Sequence, residues 1–336
     1  MGNTARVIAM AVLLAAVYGT AVLGQNRPAA ILTLDVENLV NYDEDLSPPS
    51  KFATDPNPSP DVLPANFNRF TLIGDIVAVN GQPVKGTVTS SQLTMRLTTA
   101  FTPGQAIADT VREGIQVRSF EILKLDGTPV GTIFASGLSA GAPPPGAPLS
   151  VIAQNEAIVG GTGAFLGAVG QFGNAVPLVG RRVSISEDPA YRRINGGGGT
   201  SRYVLHIIPM FRPEVTLTQG VPAVTHSTDF SLVTSSKPAA AGEILSMFMT
   251  GLGPTKPGVD PGQPFPASPA AVVVNSPVEV TVNGKSAEVL AAVGFPGTVD
   301  GYQVNFRVPS DTAKGTATIQ VSAAWIPGPP VSITVQ

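Results

Sequence analysis

Ala157-Ile-Val-Gly-Gly-Thr-Gly-Ala-Phe-Leu-Gly-Ala-Val-Gly170 decides how the rest of this chain is read. It starts as an apolar run, breaks on glycines and resumes with Ala168-Val169. Gly160, Gly161 and Gly163, with Thr162 among them, permit positive φ and close backbone approach, so a sharp corner between two strands is expected there. Phe165 would plug the core beneath the corner. A phosphate-binding loop fits poorly. Gly161-Thr-Gly163 is not followed by a glycine at the required spacing, nor by a helix or Gly-Lys-Ser/Thr.

Strand signals repeat on both sides of this corner. Ile31 to Val36, Phe70 to Val79, Val84 to Leu97, Ile115 to Leu123, Val130 to Ala135 and Ser150 to Val159 are separated by turn signals such as Asn80-Gly81 and Asp126-Gly127. Arg202 to Phe211 adds one more strand. Leu93, Met95 and Leu97 alternate with Gln92, Thr94 and Arg96, the pattern of a strand with one buried face. A proline-rich stretch, 41–65, interrupts the series. Proline withholds backbone donors, so a mobile loop is expected there. Strands this regular suggest a closed barrel or sandwich.

The composition agrees. The 336 residues include 36 Gly and 32 Pro, which weaken helices and mark turns. Charged residues are 13% and the formal net charge is −3, with no basic run, which removes the main electrostatic drive for nucleic-acid binding. The absence of cysteine excludes thiolate chemistry and a disulfide scaffold. At the start, Arg6, the apolar run Val7 to Val17 and the small residues Val22 and Gly24 make a secretory signal over 1–24, with Gln25 opening the mature chain. The run is shorter than the roughly 18–20 apolar residues of a membrane span. No later stretch reads as a span.

A second block follows a plausible linker at 215–227. Val278 to Val282 and Ala287 to Val293 flank Asn283-Gly284, a hairpin signal. About seven short strands over 228–336 fit an immunoglobulin-like sandwich. The expected fold is therefore all-β, an antiparallel eight-stranded barrel over 25–214 followed by that sandwich.

The glycine corner resembles the signature of dirigent proteins and the related allene oxide cyclase barrels, in which a strand leads into Gly-Gly-Thr-Gly-x-Phe, a small-residue turn and a second strand. The resemblance implies an eight-stranded barrel with Arg202 to Ile208 as its last strand, and a lumen for a small apolar or phenolic ligand. Barrels of that family often associate, so a homo-oligomer is an expectation too. Many plant members carry Ala-Arg-Gly after the motif. Ala168-Val169-Gly170 stands here, and Val169 supplies no guanidinium. The second block resembles the immunoglobulin-like module, of IPT/TIG character, of secreted soil-bacterial proteins, through Pro238 to Ser246, Thr250-Gly-Leu-Gly-Pro254, Val280-Thr-Val-Asn-Gly284 and Tyr302 to Pro309. That resemblance implies a bacterial exported protein, secreted or held in the periplasm or cell envelope, and no chemistry.

Residues able to do chemistry are few. His206 and His226 are the only histidines, and without cysteine no metal site is expected. No cofactor is implied. Gly137-Leu-Ser-Ala-Gly141 matches a nucleophile elbow, but Ala142-Pro-Pro-Pro-Gly forbids the helix it needs, so no Ser139 triad is expected. Asp43-Glu44-Asp45 reads as a solvated charge run. Asp75 and Arg96 lie in strands and are the candidate ionisable pair. Asp75 would serve as a general acid if it faced an apolar lumen, whereas an outward, solvated position is the plainer reading. Leu93, Met95, Leu97, Phe165, Tyr203 and Leu205 are the candidate ligand-binding residues. The leading expectation is a non-catalytic exported barrel that binds a small apolar or aromatic ligand. The alternatives are a cyclase or stereo-directing enzyme of the dirigent/allene oxide cyclase kind, and a structural or adhesive envelope or matrix protein.

Overall fold

The computed structural model describes residues 30–45, 66–96, 112–138, 153–194, 197–267 and 272–336. The expected signal over 1–24 lies outside them, as do Leu97 and Ser139. Among the described residues there is no α-helix, and no helix is long and apolar enough to cross a membrane.

Eight of the described strands close into an antiparallel barrel: β1 (Ala30–Asp45), β2 (Asn66–Val79), β3 (Lys85–Arg96), β4 (Arg112–Leu123), β5 (Pro129–Leu138), β6 (Ala153–Gly161), β7 (Val169–Asn174) and β8 (Gly199–Ile208). Each pairs with its neighbour in sequence, and β8 closes onto β1 through Ala30↔Ile207 to Asp35↔Arg202. Eight strands enclose an interior that side chains can just fill. Leu32, Leu34, Ile76, Phe120, Ile122, Ile133, Phe172, Tyr203, Leu205 and Ile207 fill it.

The glycine corner forms between β6 and β7. Gly163 has φ +60°, and a Cβ there would lie 2.5 Å from the Val130 carbonyl oxygen. A Cβ on Gly161 would lie 2.3 Å from the Phe165 carbonyl oxygen. The corner therefore packs backbone to backbone, and Phe165 is buried beneath it. Gly160 differs from the expectation, because nothing lies within 4 Å of a Cβ there and its φ is ordinary. Thr162 ties the corner to β5 through Thr162 N to the Thr132 carbonyl, 2.8 Å.

Two boundaries differ from the sequence reading. Asn41 to Asp45 continue β1, paired with Leu72 to Asn68, rather than opening the proline-rich loop. That pairing satisfies backbone groups that a loop would leave to water. The stretch 215–227 is not a free linker. Glu214–Val215 and Val224–His226 pair with Ile244–Thr250, and Val215 and Val224 enter the second core.

The second unit is an all-β sheet ordered Glu214–Val215, Ile244–Thr250, Tyr302–Arg307, Lys285–Gly294, Val278–Val282, Gly315–Ala323, Ile326–Pro327. Asn283 (φ +50°) and Gly284 (φ +76°) make the expected tight hairpin. The two units dock directly. A tight turn at Ala324 and Trp325 (φ +48° and +62°) packs Ala324, Trp325 and Ile326 into the barrel's own core cluster. Trp325 Nε1 donates to Gln82 Oε1 at 2.7 Å, and Asn275 Nδ2 donates to the Pro129 carbonyl at 2.6 Å.

Candidate functional site

The barrel has two unlike ends. At one, short turns at 80–84 and 124–128 and the glycine corner join the strands, and the second unit packs over them. At the other, β1, β3, β5 and β7 end and the next strands begin, with the longer intervals of sequence between them. Toward this second end the lumen becomes polar. Ser90 and Gln92 of β3, Gln116 and Arg118 of β4, Glu156 of β6, Asn174 of β7 and Ser201 of β8 are all buried.

Strand alternation puts them there. Phe120 and Ile122 fix the inward face of β4, so Gln116 and Arg118 share it. Ile158 does the same for Glu156. Gly137 makes room, because a Cβ on it would lie 2.9 Å from the Glu156 Cα. Arg118 Nη2 stands 3.4 Å from Glu156 Oε1, with neither side chain exposed. The Gln116 amide, oriented to suit its neighbours, donates to Gln92 Oε1 (3.1 Å) and Glu156 Oε1 (3.3 Å) and accepts from Arg118 Nη2 and Ser90 Oγ. Glu156 Oε2 and Asn174 Oδ1 are buried without a hydrogen-bond partner.

Beneath this layer sits an aromatic floor. Phe120, Phe172 and Tyr203 meet edge to face at centroid separations of 5.2–6.0 Å. The Arg118 guanidinium lies 5.2 Å from the Phe172 ring centroid and 5.0 Å from that of Tyr203. Cation–π attraction offsets part of the cost of burying that charge. Burial pushes the Glu156 carboxyl up to about 7, with Arg118 pulling it down. Burial also raises the Tyr203 phenol, opposed by Arg118 and Ser201. A guanidinium, a carboxyl that exchanges its proton near neutrality and a buried phenol thus share one lumen. Such a set can hold an acidic or hydroxylated group and move a proton to or from it.

The sequence-derived candidates fall in different places. Phe165, Tyr203 and Leu205 are inside the barrel, packed into its core. Leu93 points outward and is 47% exposed, while Gln92 is buried, the reverse of the expected phase. A bulge between Gln92 and Thr94 interrupts the ladder there, and the inward row of β3 carries polar side chains because it faces Gln116 and Glu156. Met95 lies two residues along the same strand, opposite Phe67 and Arg112, and Arg96 ends it opposite Asn66.

Asp75 is outside the barrel. It receives hydrogen bonds from Arg193 Nε (2.7 Å), Arg192 Nη2 (2.6 Å) and Asn38 Nδ2 (3.0 Å), pinning the 3₁₀ turn Pro189–Arg193 to the wall. Burial favours its neutral form, but these donors outweigh that and hold its carboxyl below the ordinary range. The structure therefore does not bring Asp75 and a lumen together. Val169 is outward-facing and 47% exposed, so an arginine there would not reach the lumen, whereas Arg118 is buried inside it. Arg118 and Glu156 were missed by the sequence reading, although the inward phase set by Phe120, Ile122 and Ile158 would have located them.

Elsewhere, His206 faces outward, half-buried, its pKa lowered by burial. His226 belongs to the second unit, where its Nδ1 is 2.5 Å from Glu243 Oε1. Among the described residues no group of three or more His, Cys, Asp or Glu is arranged to hold a metal. No family model matches the chain, and no curated protein matches it.

Proposed function

We propose that this chain is an exported barrel protein that binds a small aromatic ligand bearing an acidic or hydroxyl group, received at the long-loop end of the lumen against Arg118 and Glu156. One observation carries the reading: an oppositely charged pair is buried on an aromatic floor at the polar end of the lumen, with a carboxylate oxygen unpartnered. A buried pair is costly to maintain for stability alone. Relation to the dirigent and allene oxide cyclase barrels is part of this proposal, resting on the glycine corner and the eight-stranded closure. So is the immunoglobulin-like, IPT/TIG character of the second unit, resting on its quoted motifs. Export rests on the signal at 1–24 and is tested by N-terminal sequencing of the secreted chain, which should begin at Gln25.

The lower lumen is filled by side chains, which restricts an apolar ligand to the polar end and favours one with a polar head. Calorimetric titration of the chain from Gln25 with phenolic carboxylates and plain phenols tests this. Saturable binding is expected, stronger for the carboxylates, and weakened about ten-fold or more by Arg118→Met. No saturable binding of either class would overturn it.

A second reading, a cyclase or stereo-directing enzyme, is favoured by the Glu156 carboxyl at about 7, a value suited to general acid–base work at neutral pH. It predicts turnover of a bound ligand that Glu156→Gln abolishes while binding persists.

A further inference from the structure

We infer that the cleft where the two units meet is a binding site for a neutral saccharide. This cleft, of about 380 Å³, lies at the opposite end of the barrel from the polar lumen, and the inference does not depend on the lumen reading. Its size falls at the small end of the roughly 300–1,000 Å³ typical of ligand pockets.

The second unit contributes a block of four polar side chains. Glu279 and Thr281 of strand Val278–Val282 stand directly across from Ser322 and Gln320 of strand Gly315–Ala323. Being two apart in each strand, the members of each pair share a face. The residues between and beside them, Val280, Val282, Ile319 and Val321, are buried on the other face and hold the block rigid. The barrel contributes the turn carrying Gln82, whose amide donates to Glu279 Oε1 and accepts from the Trp325 indole.

The chemistry fits a polyol. Among the described residues the Thr281 and Ser322 hydroxyls have no hydrogen-bond partner, so each can donate to and accept from a ligand hydroxyl. The Gln320 amide and the Glu279 carboxylate add a planar acceptor each. No Lys or Arg lines the cleft, which disfavours an anionic ligand. Ile31, half exposed, with the Trp325 edge and Pro327 offers an apolar surface for the C–H face of a sugar ring. The site is complete only when both units are docked.

Trp325 is the chain's single tryptophan, so its indole N–H resonance reports the site alone. The experiment titrates the chain from Gln25 with glucose, galactose, N-acetylglucosamine, cellobiose, chitobiose and an oligogalacturonate, following that resonance. At least one neutral sugar should shift it saturably. The double variant Thr281→Ala, Gln320→Ala, with an unchanged unfolding midpoint, should bind about ten-fold more weakly. Arg118→Met should leave the sugar response in place, which separates this site from the lumen. If no neutral sugar moves the signal, if the double variant binds equally well, or if the oligogalacturonate binds in preference, the cleft is only a joint between the units.

Discussion

The two ends of the barrel are built from the same eight strands and differ in what fills them. At the docked end, Phe165, Leu205, Ile207 and the Trp325 turn form a dry apolar stack sealed by backbone-close glycines. At the long-loop end, seven polar side chains face one another, with three buried side-chain oxygens left unpartnered, in Glu156, Asn174 and Ser201. Apolar packing tolerates no vacancy but asks for no partner, whereas buried polar groups cost free energy until paired. The contrast assigns stability to one end and chemistry to the other.

The largest expected effect breaks the docked end. Phe165→Ala empties the space under the glycine corner and should lower unfolding free energy by about 4 kcal/mol in denaturant melts. A loss below about 1 kcal/mol would mean that the corner collapses onto the gap and the end is not tightly packed.

Next comes the polar end, through pH. The Glu156 carboxyl lies at about 7 in the folded chain against an ordinary 4.5. Between those values the folded state holds a proton that the unfolded chain has lost, so stability falls as pH rises through this window. The difference corresponds to about 3 kcal/mol. Glu156→Gln, which mimics the protonated acid, should remove that slope and exceed wild type in stability above neutral pH. An unchanged slope in the variant would show that Glu156 is not the titrating group.

Asp75 sharpens the comparison from outside the lumen. Its folded pKa is lowered, so its contribution is present above its ordinary range and is lost as pH falls through the folded value. Asp75→Asn should cost about 1–3 kcal/mol, because Arg192 would remain buried with its charge uncompensated. Equal melting of wild type and variant at neutral pH would argue that the turn is held by other contacts.

The smallest effect is expected at Val169→Arg. The side chain is outward, so stability should change by less than about 0.5 kcal/mol and ligand binding not at all. Altered ligand affinity in this variant would place the position nearer the lumen than its exposure does.

Much of the barrel was legible because β-structure writes itself in period two. Asn80-Gly81, Asp126-Gly127 and Asn283-Gly284 each mark a real turn, and the glycine corner is close-packed at Gly161 and Gly163 for the steric reason its composition implies. The site is legible in principle from the inward phases of β4 and β6. Asp75 is a carboxylate inside a strand, yet its neighbours Leu72 and Ile76 set the opposite phase and put it on the outer wall. The inward phase of β3 is set by Val88, Ser90 and Gln92, so its apolar Leu93 faces out, because polar side chains occupy the inward row at this end of the lumen.

Local chemistry therefore determined the all-β class, the turns and the glycine corner, since each depends on φ preferences and alternation within a few residues, and composition alone excluded cysteine-based chemistry. Tertiary structure decided that Arg118 and Glu156 meet across 38 positions, that Arg192 and Arg193 claim Asp75, and that the turn at Trp325 closes onto Gln82 from 243 residues away. Those contacts depend on barrel closure and on the docking of two cores. Closure and docking are set by the summed burial of many side chains, which no short stretch of the chain encodes.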